Sequence, residues 1–292
     1  MIISNVIGGL GNQMFQYACG RAVSLRTKQP LYMATDQFDG YKLHYGFELN
    51  RVFNIEAQEV APCEIRRLLS WQARPRVRQL LGRPAMHWAT GRNWANEPHF
   101  HYWPGIKYVR GSKYIHGYWQ SERYFADVAE QIRQDFFFQM PWDESDLAVR
   151  DRMRHHPCAS MHVRRGDYAL KKNRDIFGLC DLDYYRSAVQ ILRTRVPGVR
   201  LFVFSDDPDW FEGQMGPALG QYEIVRHNSG RRNANDMRLM SLANHHIIAN
   251  SSFSWWGAWL NPTVDKIIVT PKQWFLDGTN DMDLIPSSWM RI

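Results

Sequence analysis

The sequence predicts an α/β protein made of two doubly wound halves, each with a parallel sheet. Three observations carry this reading. The chain opens with a β-branched run, a glycine-rich turn and an apolar helical repeat. After Pro157, short apolar runs alternate with helix-period segments at the spacing of βαβ units. Polar clusters follow the expected strand ends, where open parallel sheets take up ligands.

The elements follow in chain order. Ile2-Ile3-Ser4-Asn5-Val6-Ile7 is short and β-branched and reads as a strand. Gly8-Gly9-Leu10-Gly11 turns the chain, and Met14, Phe15, Tyr17, Ala18, Ala22 and Leu25 recur at helical spacing. From Asp36 to Gly117 aromatics, prolines and arginines crowd the chain without a clean period, apart from a helical insertion over 64–81. Ser121-Glu122 caps a helix expected to run to Gln134, and another helix spans 143–155. Cys158 to Val163 is a strand. Asp181 caps a helix with Leu182, Tyr185, Val189 and Leu192 on one face, ended by Pro197-Gly198. Val199 to Phe204, Tyr222 to Val225, His246 to Ala249 and Lys266 to Thr270 are strands. Helices open at Asn235 and Ser254 between them. The expected boundary lies near Pro157, giving domains 1–156 and 157–292, with a last helix packing back on the first.

Composition narrows the class. A hydrophobic content of 45% and a charged content of 22% exclude wholesale disorder. No apolar run approaches the roughly 18 residues of a membrane span. Met1 to Gly11 reads as neither signal peptide nor anchor. Cys19, Cys63, Cys158 and Cys180 form no Cys-x-x-Cys, which argues against structural zinc and fits a reducing cytosol. The formal charge of +7 is uneven: between Glu64 and Glu97 there are seven arginines and no acid. Without them, bases and acids balance at 29 each.

Four constellations bear chemistry. The first is His162-Val163-Arg164-Arg165-Gly166-Asp167-Tyr168, with two guanidinium forks just past a strand end, suited to phosphate. Asp167 can hold one arginine in place. The second, Ser205-Asp206-Asp207, offers carboxylates to a ribose or a purine. The third, Asn250-Ser251-Ser252-Phe253-Ser254, opens a helix whose free N–H groups favour a phosphate. The tryptophans after it, Trp255, Trp256 and Trp259, are spaced to pack inward. The fourth is the opening loop with Gly9, Gly11 and Asn12, which departs from Gly-x-Gly-x-x-Gly because Met14 fills the sixth position. No Gly-Lys-Ser/Thr is present, so a P-loop is excluded. Arginines, serines and a helix terminus at strand ends fit transfer of a sugar from a nucleoside diphosphate. Asp-x-Asp occurs at Asp181, Asp207 and Asp281, too freely to define a metal site.

Gly8-Gly9-Leu10-Gly11-Asn12-Gln13-Met14-Phe15-Gln16-Tyr17-Ala18, His162 to Tyr168, Phe204-Ser205-Asp206-Asp207 and Ile247 to Asn261, in this order and spacing, resemble the bacterial α-1,2-fucosyltransferases. The resemblance implies a GT-B architecture of two facing Rossmann-like domains, the first meeting the acceptor and the second GDP-fucose. It implies inverting transfer of L-fucose to the 2-hydroxyl of a terminal β-galactose, as in O-antigen or another surface oligosaccharide, with no metal and no other cofactor. By the same resemblance Arg164 contacts the β-phosphate, His162 and Asp206 or Asp207 hold the guanosine, and Ser251 or Ser252 meets the diphosphate. Asn12 reaches toward the reacting centre. Arg165, Ser205 and Phe253 complete the expected donor set, with Arg164, Asn12 and Asp167 as catalytic candidates.

Two other classes fit parts of the sequence: a non-catalytic glycan- or nucleotide-binding module with the tryptophans as sugar platforms, and a metal-dependent GT-A transferase with one Rossmann unit. The basic stretch 65–96 carries no nucleic-acid motif. It reads either as a solvated basic face or as a contact with anionic membrane, where a lipid-linked acceptor would be met. The expected location is the cytoplasm, peripheral on the inner face of the membrane.

Overall fold

The computed structural model describes residues 1–39, 45–55, 57–166 and 175–292. The chain divides into two compact units, Met1–Gln139 with Met282–Pro286, and Met140–Asp281 with Ser287–Ile292. The division falls ahead of the expected 156/157 boundary because the helix at 144–154 belongs with the second sheet.

The first unit is built on a four-stranded parallel sheet in the order β2-β1-β4-β3. Its strands are β1 (Ile2–Asn5), β2 (Leu31–Ala34), β3 (Trp94–Asn96) and β4 (Lys113–His116). Helix α1 (Leu10–Thr27) returns the chain from β1 to β2 and buries Met14, Phe15, Ala18 and Val23. Its apolar face, not a high local helix propensity, fixes it in place. The basic insertion contributes α2 (Pro62–Leu69) and α3 (Pro75–Leu81), both with proline in the first turn, where the missing N–H costs no helical bond. Ile65, Leu69 and Leu81 pack with Ile3, Ala34, Trp94 and Tyr114 of the sheet.

The helix expected from Ser121 to Gln134 is shorter. Ser121 caps only a tight turn, its oxygen accepting from the Arg123 N–H, and α4 begins at Ala129 and ends at Asp135. The Tyr124 hydroxyl accepts from the Trp103 N–H, while Phe125 packs against Phe15, so the two pull the segment out of one helical run.

The second unit carries a six-stranded parallel sheet, β10-β9-β8-β5-β6-β7. The strands are β5 (Cys158–Val163), β6 (Arg200–Ser205), β7 (Glu223–Val225), β8 (His245–Ile247), β9 (Ile268–Thr270) and β10 (Met290–Arg291). Helix α5 (Glu144–Arg154) precedes them, and α6 (Leu182–Arg195), α7 (Ala234–Met240) and α8 (Ser252–Leu260) run between them. Asp181 caps α6 as its sequence predicts, accepting from the Tyr184 N–H at 2.8 Å. Met161, Val203, Tyr185, Leu192, Ile247 and Val269 form the core of this unit. After α8 no further helix follows: the last strand is β10, and residues 282–286 join the first unit as non-helical chain. The expected last helix is therefore absent. Two parallel sheets, each with its own core, also overturn the single-unit GT-A reading.

Candidate active site

Strand register decides which residues can meet. In the second sheet His162 lies beside Phe204 and Val163 beside Ser205, so Arg164 and Asp206 leave adjacent carboxyl ends together. The Arg164 guanidinium pairs with the Asp206 carboxylate at 2.8 Å. The other Asp206 oxygen accepts from the Arg165 backbone N–H at 2.8 Å. The Arg165 side chain reaches Asp207 at 3.4 Å and lies 3.5 Å over the Trp210 ring. Gly166 closes the turn: a Cβ there would sit 2.5 Å from the Asp206 carboxylate, which both arginines hold. Ser205 turns inward on the chain, its hydroxyl accepting from the Asp207 N–H at 3.0 Å.

His162 is buried, and burial, then the neighbouring Arg164 charge, push its pKa down to about 3. It is therefore a neutral imidazole at physiological pH. Its carbonyl accepts from the Tyr185 hydroxyl, while its Nδ1 has no protein partner. A buried ring nitrogen left open is a place for a ligand group to dock. The Phe253 ring stands 5.7 Å from the His162 ring, which brings the third constellation to the first.

That third constellation starts α8. The Ser251 hydroxyl caps the helix by accepting from the Phe253 N–H at 3.3 Å. Asn250 is buried and donates to the carbonyls of Phe177 and Trp274, fixing the approach to the helix. Ser252 and Phe253 are half-buried at the opening. Trp255, Trp256 and Trp259 are 0%, 0% and 4% exposed, so they are core, and the reading of them as sugar platforms falls. Asp167 lies outside the described residues.

The first unit has its own cluster at carboxyl ends. Gly8 adopts φ +79°, and a Cβ there would meet the Asn12 amide at 2.7 Å. Gly9 is the N-cap of α1, and Gly11 is buried in its first turn. Gln13 and Gln16 lock this loop, Gln13 through Gly8, Gly46 and Glu48, Gln16 through Ile7 and Gly117. Asn12 accepts from the Gln120 side-chain amide at 2.8 Å.

Gln120 and Glu97 escape the sequence reading. Asn96 lies beside His116 in the sheet, so Glu97 and Gly117 leave β3 and β4 together. The Glu97 carboxylate accepts from the N–H groups of Tyr118 and Trp119 at 2.7 and 3.1 Å. The Tyr124 hydroxyl also hydrogen-bonds it. Burial outweighs these bonds and raises the Glu97 pKa to about 8. Trp119 is fully buried with φ 56°, a left-handed conformation that costs a non-glycine residue about 1–2 kcal/mol. Glu97 thus holds a strained turn whose next residue steadies Asn12.

For a cation, one group among the described residues brings ligand atoms within 4.8 Å: Asp143, Asp146 and His227. Its carboxylates are already engaged. Asp146 accepts from His227, Asn228 and Asn235, and Asp143 caps α5 and pairs with Arg232. Beside it, half-buried Asp236 has its pKa raised to about 8, chiefly by desolvation. This network ties α5 to α7. The paired aspartates read from sequence go elsewhere, to caps and to arginines.

Two arginines, an aspartate and a helix start at the carboxyl ends of a parallel sheet, in a chain with two such sheets, define a GT-B glycosyltransferase. Residues 101–289 match Glycosyl transferase family 11, and the chain belongs to that family. It is 35% identical to an alpha-1,2-colitosyltransferase of Escherichia coli over 304 residues, covering 100% of this chain and 99% of that protein. It is 30% identical to the O-antigen biosynthesis glycosyltransferase WbnK of Escherichia coli, covering 98% of each. In fold it resembles the NodZ alpha-1,6-fucosyltransferase soaked with GDP-fucose, with a TM-score of 0.53, 15% identity, and 89% and 92% of the two chains covered. Among the described residues, no helix is long and apolar enough to cross a membrane.

Proposed function

We propose that the chain transfers L-fucose from GDP-fucose to the 2-hydroxyl of a terminal β-galactose, with inversion, in building O-antigen or a related surface glycan. The observation that carries this reading is the Arg164–Asp206–Arg165 assembly at the strand ends. A diphosphate displaces the Asp206 contact and takes the Arg164 fork. The neutral, unpartnered His162 nitrogen and the Asp206 and Asp207 carboxylates are left for the nucleoside. The galactose 2-hydroxyl attacks the anomeric carbon from the face opposite GDP and gives up its proton to solvent water. As the sugar–phosphate bond breaks, its electron pair goes to the β-phosphate, where Arg164 and the N–H groups that open α8 stabilise the new charge. Positive charge from arginine and the helix terminus makes a divalent metal unnecessary in this scheme. Asn12, steadied by Gln120, orients a sugar hydroxyl.

A second reading rests on the full-length likeness to the colitosyltransferase. Colitose is fucose without the 3-hydroxyl, so the two donors differ by one hydrogen-bonding group. A site built to bond that hydroxyl rejects the deoxy sugar by several orders of magnitude, while a site lacking the partner discriminates weakly. GDP-fucose and GDP-colitose are offered with β-galactoside acceptors, with and without EDTA, and product linkage is determined. A 1,2-linked fucoside made in EDTA supports the first reading, and exclusive use of GDP-colitose moves the chain to the second. Absence of GDP release from either donor, or a linkage other than 1,2, sinks both.

A further inference from the structure

The basic insertion does not belong to either site. One side of α2 and α3 is buried on the first sheet through Ile65, Leu69 and Leu81. What remains outside is basic and aromatic. Arg66, Arg67, Arg74, Arg76 and Arg83 are exposed, and Trp71, Leu80 and Trp88 are 60%, 47% and 75% exposed. Arg78 is the exception, buried and paired with Asp36. A lone exposed apolar residue is ordinary, but two tryptophans and a leucine among five exposed arginines within residues 66–88 have the composition of an interfacial segment.

A second observation adjoins it. A cleft of about 370 Å³ is lined by His87, Arg92, Tyr108, Arg110 and Lys113, among others. Three cationic residues line it with no carboxylate among the lining; Arg110 donates to the carbonyls of Lys107 and Val109, and Lys113 to that of Arg92. Burial, then Arg92, lowers the Lys113 pKa, so an anion in the cleft would relieve an existing repulsion. Arg92 precedes β3 and Lys113 opens β4, so the cleft lies at the amino ends of strands whose carboxyl ends lead to Glu97 and Gln120. A ligand held there leaves the Asn12 cluster open.

We infer that this face docks on an anionic phospholipid bilayer, with Trp71, Leu80 and Trp88 entering the headgroup boundary and the arginines and cleft meeting lipid phosphates. Charge complementarity selects this occupant, because the stretch between Glu64 and Glu97 contains no acid to repel it. The inference stands apart from the identity of the donor sugar.

The full chain is sedimented with vesicles of phosphatidylcholine alone and of phosphatidylcholine with phosphatidylglycerol, across a salt series. Binding should require phosphatidylglycerol and weaken as salt rises. Reversing Arg74 and Arg76 to glutamate should lower partitioning by roughly 25-fold or more, about five-fold for each basic charge lost. Trp71→Ala with Trp88→Ala should weaken binding while keeping its salt dependence. Transfer to a soluble acceptor monitors folding of each variant, and the wild-type lipid and salt series decides the matter even where a variant misfolds. Equal binding to neutral vesicles, no binding to either, or full binding by a folded Arg74→Glu, Arg76→Glu variant overturns the inference. So does competition by duplex DNA at equal phosphate, which would assign the face to nucleic acid. Inorganic phosphate that releases the protein as well as phosphatidylglycerol binds it would reduce the cleft to a free-anion site and equally overturn docking.

Discussion

The two units build their sites by the same rule and with opposite electrostatics. In each, three neighbouring parallel strands deliver polar residues at their carboxyl ends. In the second unit these are paired charges that water reaches: the Arg164 and Asp206 side chains are 27% and 24% exposed. In the first unit the organising group is Glu97, 5% exposed, closed over by backbone N–H groups and held mostly protonated at neutral pH. A partly exposed ion pair is worth about 0–1 kcal/mol and is readily exchanged for a ligand phosphate. Burial makes the charged form of such a carboxyl costly, so it keeps its proton well above the usual range. The second unit therefore leaves its charges open to water, and the first uses a largely neutral buried acid to hold a turn.

The sharpest way to break this contrast is Arg164→Ala. If the arginine serves the departing phosphate and not the fold, transfer should fall by about 10²- to 10³-fold. Thermal stability should move by no more than about 1 kcal/mol, since only a half-open ion pair is lost. Initial rates of GDP release and a denaturation curve on the same preparation check both halves. Near-normal turnover would remove Arg164 from the mechanism, and collapse of the fold would remove the contrast.

The same contrast explains what could be read from sequence. The site of the second unit is legible because the two strands that lead to Arg164 and Asp206, β5 and β6, are six residues long each. Cys158 to Val163 is buried throughout, so its end, and Arg164 after it, can be placed. In the first unit β3 is Trp94-Ala95-Asn96 and β4 is Lys113-Tyr114-Ile115-His116, short strands whose polar ends blur into the surrounding loops. Their termini could not be placed, so Glu97 and Gln120 went unnoticed. The available signal was the apolar pair Tyr114-Ile115 followed at once by Gly117 and the polar Gln120-Ser121. Asp146 was hidden differently. An aspartate in the first turn of a helix ordinarily faces water, and only the tertiary partners His227, Asn228 and Asn235 reveal that it is buried.

Glu97 makes the first unit sensitive to pH, and Asp236, whose pKa burial also raises to about 8, gives the second unit a dependence of the same sign. Burial raises its pKa from 4.5 to about 8, so the folded chain holds a proton that the unfolded chain releases. Stability from this group is full below about pH 4.5 and declines as pH rises toward about 8. The slope should approach about 1.4 kcal/mol per pH unit in that window. Glu97→Gln cannot ionise and should remove the Glu97 share of the slope, leaving that of Asp236. Denaturant unfolding of both proteins across the window tests this, and identical pH profiles would show that Glu97 titrates as an ordinary surface acid.

A smaller effect is expected at Gln120. Gln120→Ala removes the donor to Asn12 without touching the second sheet. The loss of one hydrogen bond, about 0.5–1.5 kcal/mol, should lower kcat by roughly 2- to 12-fold and leave the donor KM unchanged. A rise in donor KM with kcat intact would place the pair in binding instead of orientation.

The smallest effect separates two roles of one hydroxyl. Ser251 caps α8, and removing such a cap costs about 1 kcal/mol. If that is its whole role, Ser251→Ala lowers the melting temperature and leaves GDP affinity alone. If the hydroxyl also meets the diphosphate, GDP should bind several-fold more weakly as well. The loss stays modest because the Phe253 N–H, freed from the serine, becomes available to the phosphate at the same helix terminus. Titration calorimetry with GDP distinguishes the two outcomes. Weaker binding is the expected result, since α8 begins beside the open His162 ring and not in a closed part of the core.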